Sequence, residues 1–302
     1  MSFPEFPLLP SAFPKPTASL DPCAYDAYNL SMTAIVTEDR PAVQTKDLVR
    51  SFGNFNAVDH ISLEVRPGRF FGFLGPNGAG KSTTIKMLTG LLAPTSGNIK
   101  VLGLDIETQS NEVKRRIGVV PEDLNLFDRL TGVEMLIFTG RMYGLTRAEI
   151  AERAEELLAL MELDTEPGKL IVEYSHGMKK KLSLACSLIH RPEILFLDEP
   201  FEGVDAIASR TLKDLLQRLT ERGMTVFLTS HVLEIVERLC TDIAIINKGR
   251  LVATGSLDEL RRGINITSNG DSNKGLMSLE DYFIRVIGGG AQRTSEDVLN
   301  WL

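Results

Sequence analysis

The chain has 302 residues, 43% hydrophobic and 24% charged, enough apolar content to bury a full core in one large domain or two small ones. A formal charge of -7 gives no global attraction to nucleic acid or anionic lipid, so nucleic-acid binding is not expected, although local basic groups stand at Arg115/Arg116 and at Lys179 to Lys181. No apolar run approaches the roughly 18 residues needed to span a bilayer. The chain does not open on a basic stretch followed by an unbroken apolar one, and Cys23, Cys186 and Cys240 lack the paired spacing of a zinc or redox site. A cytosolic chain with reduced, mostly buried thiols is expected, with any membrane role coming through a partner.

Seven of the fourteen prolines fall before residue 42, which excludes regular helix or a central strand there and predicts a disordered arm over residues 1–41. From Val43 the pattern becomes regular. Ile61, Leu63 and Val65 alternate with Ser62 and Glu64, the period of a half-buried strand ending at Pro67-Gly68. Short apolar runs at Phe70 to Leu74, Ile117 to Val120, Ile194 to Leu197, Val226 to Leu228 and Ile243 to Ile246 read as buried strands. Segments of helical period separate them. Ile150, Ala154, Leu157, Leu158 and Met161 form one stripe, and Leu212, Leu215, Leu216 and Leu219 another, closed by Gly223. The alternation predicts an α/β domain over 42–260, with a helical insert at about 122–175 where helix signals occur without a strand. Beyond it, residues 261–302 read as a flexible loop, Ile266 to Gly275, and a C-terminal helix on which Leu279, Phe283 and Ile287 share a face.

The segment Gly75-Pro76-Asn77-Gly78-Ala79-Gly80-Lys81-Ser82-Thr83 fits the pattern G-x-x-x-x-G-K-[ST]. It lies where that pattern requires, between the strand Phe70 to Leu74 and the helical spacing of Ile85 and Leu88. Its glycines let backbone N–H groups converge on phosphate oxygens at a helix N-terminus; Lys81 would bridge the β- and γ-phosphates and Ser82 would hold Mg²⁺. Further on, Ile-Leu-Phe-Leu-Asp-Glu-Pro ends a buried strand with Asp198 and Glu199. Parallel strands end where ligands bind, so Asp198 would sit beside Mg²⁺ and Glu199 would polarise the attacking water. His231, in Thr-Ser-His, follows the next strand and reads as a γ-phosphate sensor. Taken alone, the acidic pair reads equally as solvated turn residues, and a single histidine as a surface residue. The phosphate loop is what draws them into a site.

These residues together resemble the ATP-binding subunit of an ATP-binding cassette (ABC) transporter, over about Val43 to Leu260. The resemblance implies an α/β P-loop NTPase fold: a RecA-like core sheet with an antiparallel β subdomain and a helical insert. It implies an ATPase using ATP and Mg²⁺, two cassettes meeting head to tail, a homodimer being expected, and a separate transmembrane permease that holds the pair at the cytoplasmic face of a membrane. By the same resemblance Glu199 is the catalytic carboxylate, His231 the switch histidine, and Asp205 in Gly-Val-Asp-Ala part of the dimer-interface loop. Phe52 in Arg-Ser-Phe-Gly matches the adenine-stacking aromatic, usually tyrosine; core packing is its bland alternative.

Two segments depart from the family pattern. Tyr174-Ser175-His176-Gly177-Met178 stands where Leu-Ser-Gly-Gly-Gln is usual, so Ser175 and Gly177 remain while a ring replaces a glycine; a working but slower contact to the second nucleotide is expected. Glu122, in Val-Val-Pro-Glu-Asp, stands where the coupling loop carries glutamine, and its carboxylate can equally ligate Mg²⁺ or hold water. Residues 122–143 would touch the permease. Met178 and the run Ser278 to Phe283 resemble efflux-type members and favour export over import. The alternatives are an ATP-gated regulatory clamp with weak hydrolysis, and a soluble ABC ATPase with no transport role. Retention of Glu199 and His231 argues against the first, and a single cassette without a long coiled-coil insertion against the second.

Overall fold

In the computed structural model, which describes residues 40–166, 168–260, 280 and 283, the chain runs through β1 (Val43–Phe52), β2 (Phe55–Val65), β3 (Phe70–Leu74), α1 (Lys81–Leu88), β4 (Ser96–Val101), β5 (Leu104–Asp105), α2 (Ser110–Arg116) and β6 (Ile117–Val120). It continues through α3 (Gly132–Met142), α4 (Arg147–Leu160), a short 3-10 turn (Ile171–Glu173), α5 (His176–Leu188), β7 (Ile194–Asp198), α6 (Ala206–Glu221), β8 (Thr225–Ser230), α7 (Leu233–Leu239), β9 (Asp242–Asn247) and β10 (Arg250–Ser256).

Two sheets form. The smaller is antiparallel, in the order β2-β1-β4-β5; the larger has the order β10-β9-β3-β8-β7-β6, all parallel except β10, which pairs antiparallel with β9 at one edge. Every residue of β3, β7 and β8 is buried, as a parallel sheet covered on both faces requires. Alternate side chains then feed two cores. Phe71, Phe73, Phe196 and Phe227 join Ile85 and Leu88 of α1 on one face, with Phe227 5.3 Å from Phe71 and 5.6 Å from Phe196 between ring centroids. Phe70, Leu74, Leu195, Leu197, Val226 and Leu228 meet α5, α6 and the helices of the 122–175 region on the other.

Helices α3 and α4 each open on a reciprocal cap, Thr131 with Glu134 and Thr146 with Glu149. The stripe Ile150, Ala154, Leu157, Leu158 and Met161 is buried, as are Leu212, Leu215 and Leu216 of α6, while Gly223 at φ +91° ends that helix. Phe283 is helical and half-buried against the second core. Leu279, Ile287, Cys23, the loop 266–275 and the arm up to residue 39 lie outside the described residues.

The lysine run does not form a basic patch. Lys179 pairs with Asp128 at 3.2 Å, Lys181 with Glu162 at 2.7 Å, and Lys180 is buried. Arg116 is likewise taken by Glu193, at 2.6 and 2.8 Å. Cys186 and Cys240 are free and buried, and burial pushes the Cys186 thiol up to about 12. No helix among the described residues is long and apolar enough to cross a membrane.

Candidate active site

Strand order decides which side chains meet. Strand β8 lies between β3 and β7, with Leu74 opposite Ser230 and Asp198 opposite Thr229, so three parallel strands end side by side with β6 beyond them. Leaving β3, the amide of Gly75 donates to the Ser230 carbonyl at 3.2 Å and the chain curls through Gly80 into α1. A Cβ on Gly75 would come 2.4 Å from the Ile246 carbonyl oxygen, and one on Gly80 2.4 Å from that of Ala57. Gly80 also sits at φ +107°, so no other residue fits the turn without strain. Ala79 is buried and its amide closes on the Pro76 carbonyl at 3.1 Å, while Asn77 and Gly78 are exposed at the tip. No side chain caps α1, which leaves its first amides, near the half-buried Ser82 and Thr83, available to an anionic ligand.

Lys81 is buried across the mouth of this loop. Its ammonium donates to the carbonyls of Gly75 at 2.8 Å and Pro76 at 3.2 Å, and stands 3.2 Å from Glu199 Oε1. Glu199 is 6% exposed, at φ +47°, with its other oxygen 3.1 Å from His231 Nδ1. The approach of Lys81 is off the line of a hydrogen bond, so Oε1 keeps an unfilled acceptor in a buried place. His231 lies just past the end of β8 and is partly exposed. Thr229 organises the acids: its hydroxyl donates to Asp198 Oδ1 at 2.6 Å and accepts the Glu199 amide at 3.1 Å.

The Ser82 hydroxyl is 3.2 Å from Asp198 Oδ1 and 3.3 Å from Glu122 Oε2. It has one proton for two carboxylates, so these three hard oxygens form a donor set short of positive charge, which fits Mg²⁺. No group of three or more His, Cys, Asp or Glu side chains positioned to hold a metal occurs among the described residues. A cation here would therefore be completed by phosphate oxygens and water. Below the acids lies Lys180, whose burial draws its pKa down against the pull of Glu202, Glu122, Asp198 and Glu199.

Ser175, Gly177 and Asp205 form a second group. Ser175 caps α5 by accepting the Met178 amide at 3.2 Å; Asp205 caps α6 by accepting those of Ile207 and Ala208 at 3.0 and 2.9 Å, bonds that hold its carboxyl below the usual range. The starts of α5 and α6 lie close together, since a Cβ on Gly177 would sit 3.3 Å from Asp205 Oδ2 and 3.5 Å from Ala208 Cβ. The ring of the exposed His176 lies along Gly203, whose φ is +68° and whose Cβ position is 3.0 Å from His176 Cδ2. The ring is thus laid on the turn after Glu199 rather than held out from the surface. Among the described residues no hydrogen bond joins Ser175, Gly177 or Asp205 to the phosphate-loop group. Phe52 ends β1 with 49% of its surface exposed, so core packing does not explain it; it pairs in register with the exposed Phe55, and the Arg50 guanidinium lies 4.6 Å from its ring centroid.

Sequence reasoning passed over Thr229, Lys180, Arg50 and Phe55 as site residues. Lys180 carried a signal, because Gly177, Leu184 and Leu188 at helical spacing put it on the apolar face. Thr229 carried none, since its partners come from strand order.

The family described as ABC transporter matches residues 58–202. The linearmycin resistance ATP-binding protein LnrL of Bacillus subtilis is 41% identical over 72% of this chain and 70% of its own length. The daunorubicin/doxorubicin resistance ATP-binding protein DrrA of Streptomyces peucetius is 39% identical over 76% and 69%. The bacitracin transport ATP-binding protein BcrA of Bacillus licheniformis is 36% identical over 80% and 79%. Among solved structures, an ATP-binding subunit of an ABC transporter superposes with a TM-score of 0.73 at 30% identity, covering 81% of this chain and 99% of that one. A dimeric ATP-binding cassette in a post-hydrolysis state, bound to ADP and Pi, superposes at 0.65 with 26% identity, covering 71% and 98%.

Proposed function

The chain belongs to the ABC transporter family as an ATP-binding subunit, and on that premise we propose that residues 42–260 form a cassette that binds Mg-ATP, pairs with a second copy around two nucleotides, and drives a separate permease in export. The observation that carries the reading is the buried carboxylate of Glu199 held between Lys81 and His231 at the mouth of the phosphate loop.

The triphosphate takes the open amides of Gly75 to Thr83, and Lys81 exchanges Glu199 for the β- and γ-phosphates. Released from Lys81, Glu199 turns its unfilled oxygen to water and accepts the proton as that water attacks the γ-phosphorus, while the anhydride bond to the β-phosphate oxygen breaks and ADP leaves with that oxygen. His231, kept in place by Glu199, donates to a γ-phosphate oxygen. Ser82, Asp198 and Glu122 would hold Mg²⁺, which neutralises charge on the phosphate oxygens when bound. Phe52 stacks on adenine with Arg50 behind it. Ser175, Gly177 and Asp205 face the nucleotide of the second copy, with the α5 N-terminus adding its dipole.

The permease side is supported by exposed apolar residues that a lone subunit would not need. Phe127 and Phe138 stack edge to face at 5.1 Å, and Met142 is 72% exposed on the same helix as Phe138. The names of the relatives, two of which concern resistance and one bacitracin transport, support export. The chain would then sit peripherally on the cytoplasmic face of a membrane. The test is to isolate the tagged chain from its native cells. Recovery with membranes beside one integral-membrane protein, together with magnesium-dependent ATP hydrolysis, is expected; recovery from the soluble fraction alone would overturn the transport reading.

A further inference from the structure

Lys180 stands in the second turn of α5 and is 2% exposed, on the face shared with Gly177, Leu184 and Leu188. Its ammonium donates to the Glu199 carbonyl at 3.1 Å and lies 3.5 Å from that of Glu122. The Glu199 amide is held from the other side by Thr229. A residue with a bulky side chain at φ +47° keeps that conformation only where its surroundings over-determine it. Here both ends of its backbone are pinned, the carbonyl end by Lys180.

Packing does not ask for a charge at this place. Val120, Leu184, Leu197, Pro200, Leu212 and Leu216 surround the Lys180 stem around a cavity of about 10 Å³, and a methionine would fill the same space without desolvating an ammonium. The lysine is explained by what its nitrogen holds: the backbone of the carboxylate that meets water, and the backbone of the coupling loop at Glu122. The same helix begins after its cap Ser175, five residues earlier.

Resting on the reading of the chain as a dimerising ATPase, we propose that Lys180 is a positioning residue for hydrolysis: it locks the backbone of Glu199 and ties it to Glu122, so that seating of the second copy's nucleotide on the α5 N-terminus is felt at this chain's own carboxylate. Movement of α5 carries Ser175 and Lys180 together, because a helix transmits displacement along its length.

The test compares full-length wild type, Lys180→Met and Lys180→Arg for Tm, ATP Kd, and kcat and KM of magnesium-dependent hydrolysis. Lys180→Met removes every donor at similar length. Its kcat should fall about 10- to 100-fold, the scale set by a small misplacement of a reacting group, while Kd and KM stay within about twofold and Tm is unchanged or higher. Lys180→Arg, which keeps donors, should recover most of kcat. Equal kcat in wild type and Lys180→Met at equal Tm overturns the proposal, and so does a parallel loss of kcat, Kd and Tm, which marks a merely structural lysine. Should Lys180→Met fail to fold, Lys180→Gln against Lys180→Arg decides in the same way. Wild type without magnesium-dependent hydrolysis overturns the ATPase reading and this proposal together, whereas an active wild type with indifferent variants overturns this proposal alone.

Discussion

Replacing Glu199 with glutamine preserves the shape of the side chain and removes one negative charge and the proton acceptor. The carboxylate now stands 3.2 Å from the Lys81 ammonium, both almost wholly buried. At an effective dielectric near 20, charges at that separation attract by ~5 kcal/mol gross. Desolvation of both groups offsets most of this, and only a small net part, ~1 kcal/mol, is taken to survive. Phosphate must displace Glu199 from Lys81, so Glu199→Gln should bind ATP about fivefold more tightly, ~1 kcal/mol. Turnover should move the other way. Loss of a general base costs about 10²- to 10⁴-fold, which is ~3–5 kcal/mol of barrier. The amide oxygen can still accept from Lys81 or His231, and Thr229 and Lys180 still hold the backbone, so the fold and the dimer should persist. The assays are equilibrium ATP titration, steady-state Mg-ATP hydrolysis, and light scattering for ATP-dependent dimerisation. Turnover within about threefold of wild type, or weaker ATP binding, would refute the placing of Glu199 as both counter-ion of Lys81 and base.

Lys81→Ala removes the ammonium from the mouth of the loop and should weaken ATP binding at least about 100-fold; undiminished affinity in the same titration would remove the phosphate-loop assignment. His176→Gly removes a ring that lies on Gly203 and exposes no core, so ATPase should be equal or faster with less than ~1 kcal/mol lost from stability; a large fall in turnover would instead make the histidine a phosphate contact. His190 predicts a pH response. Its half-buried ring stacks on Tyr143 with centroids 3.6 Å apart and donates from Nε2 to the Ile117 carbonyl at 2.9 Å, and burial lowers its pKa from the ordinary 6.5. The unfolded chain therefore binds more protons just below pH 6.5, so this contribution is whole above that value and is lost as pH falls toward the depressed folded pKa. Melting followed from about pH 7.5 to 5.5 should show Tm falling, and His190→Gln should flatten the slope; an unchanged slope would clear His190 of the effect.

The parts of this protein that could be read along the chain are those whose physics is local. Strands β3, β6, β7, β8 and β9 announce themselves because burial on both faces leaves continuous apolar runs, and the helix stripes because burial on one face leaves a period. The phosphate loop is legible for a similar reason, since glycine at fixed offsets and a lysine at the helix start are demands of one turn. Strand β4 escaped notice: only Ile99 and Val101 of its six residues are buried, and its partner β1 meets it through an irregular register. What meets across the fold was hidden altogether. Thr229 bridges Asp198 and Glu199 only because β8 lies between β3 and β7, and Ser82 faces Glu122 and Asp198 from 40 and 116 residues away. Lys179, Lys180 and Lys181 look alike in sequence, yet Lys179 and Lys181 found exposed acids while Lys180 found the backbone carbonyls of Glu199 and Glu122. Periodicity tells which face of an element is covered but is silent about what covers it; strand order and helix docking supply the neighbours, and those neighbours give a buried charge its role.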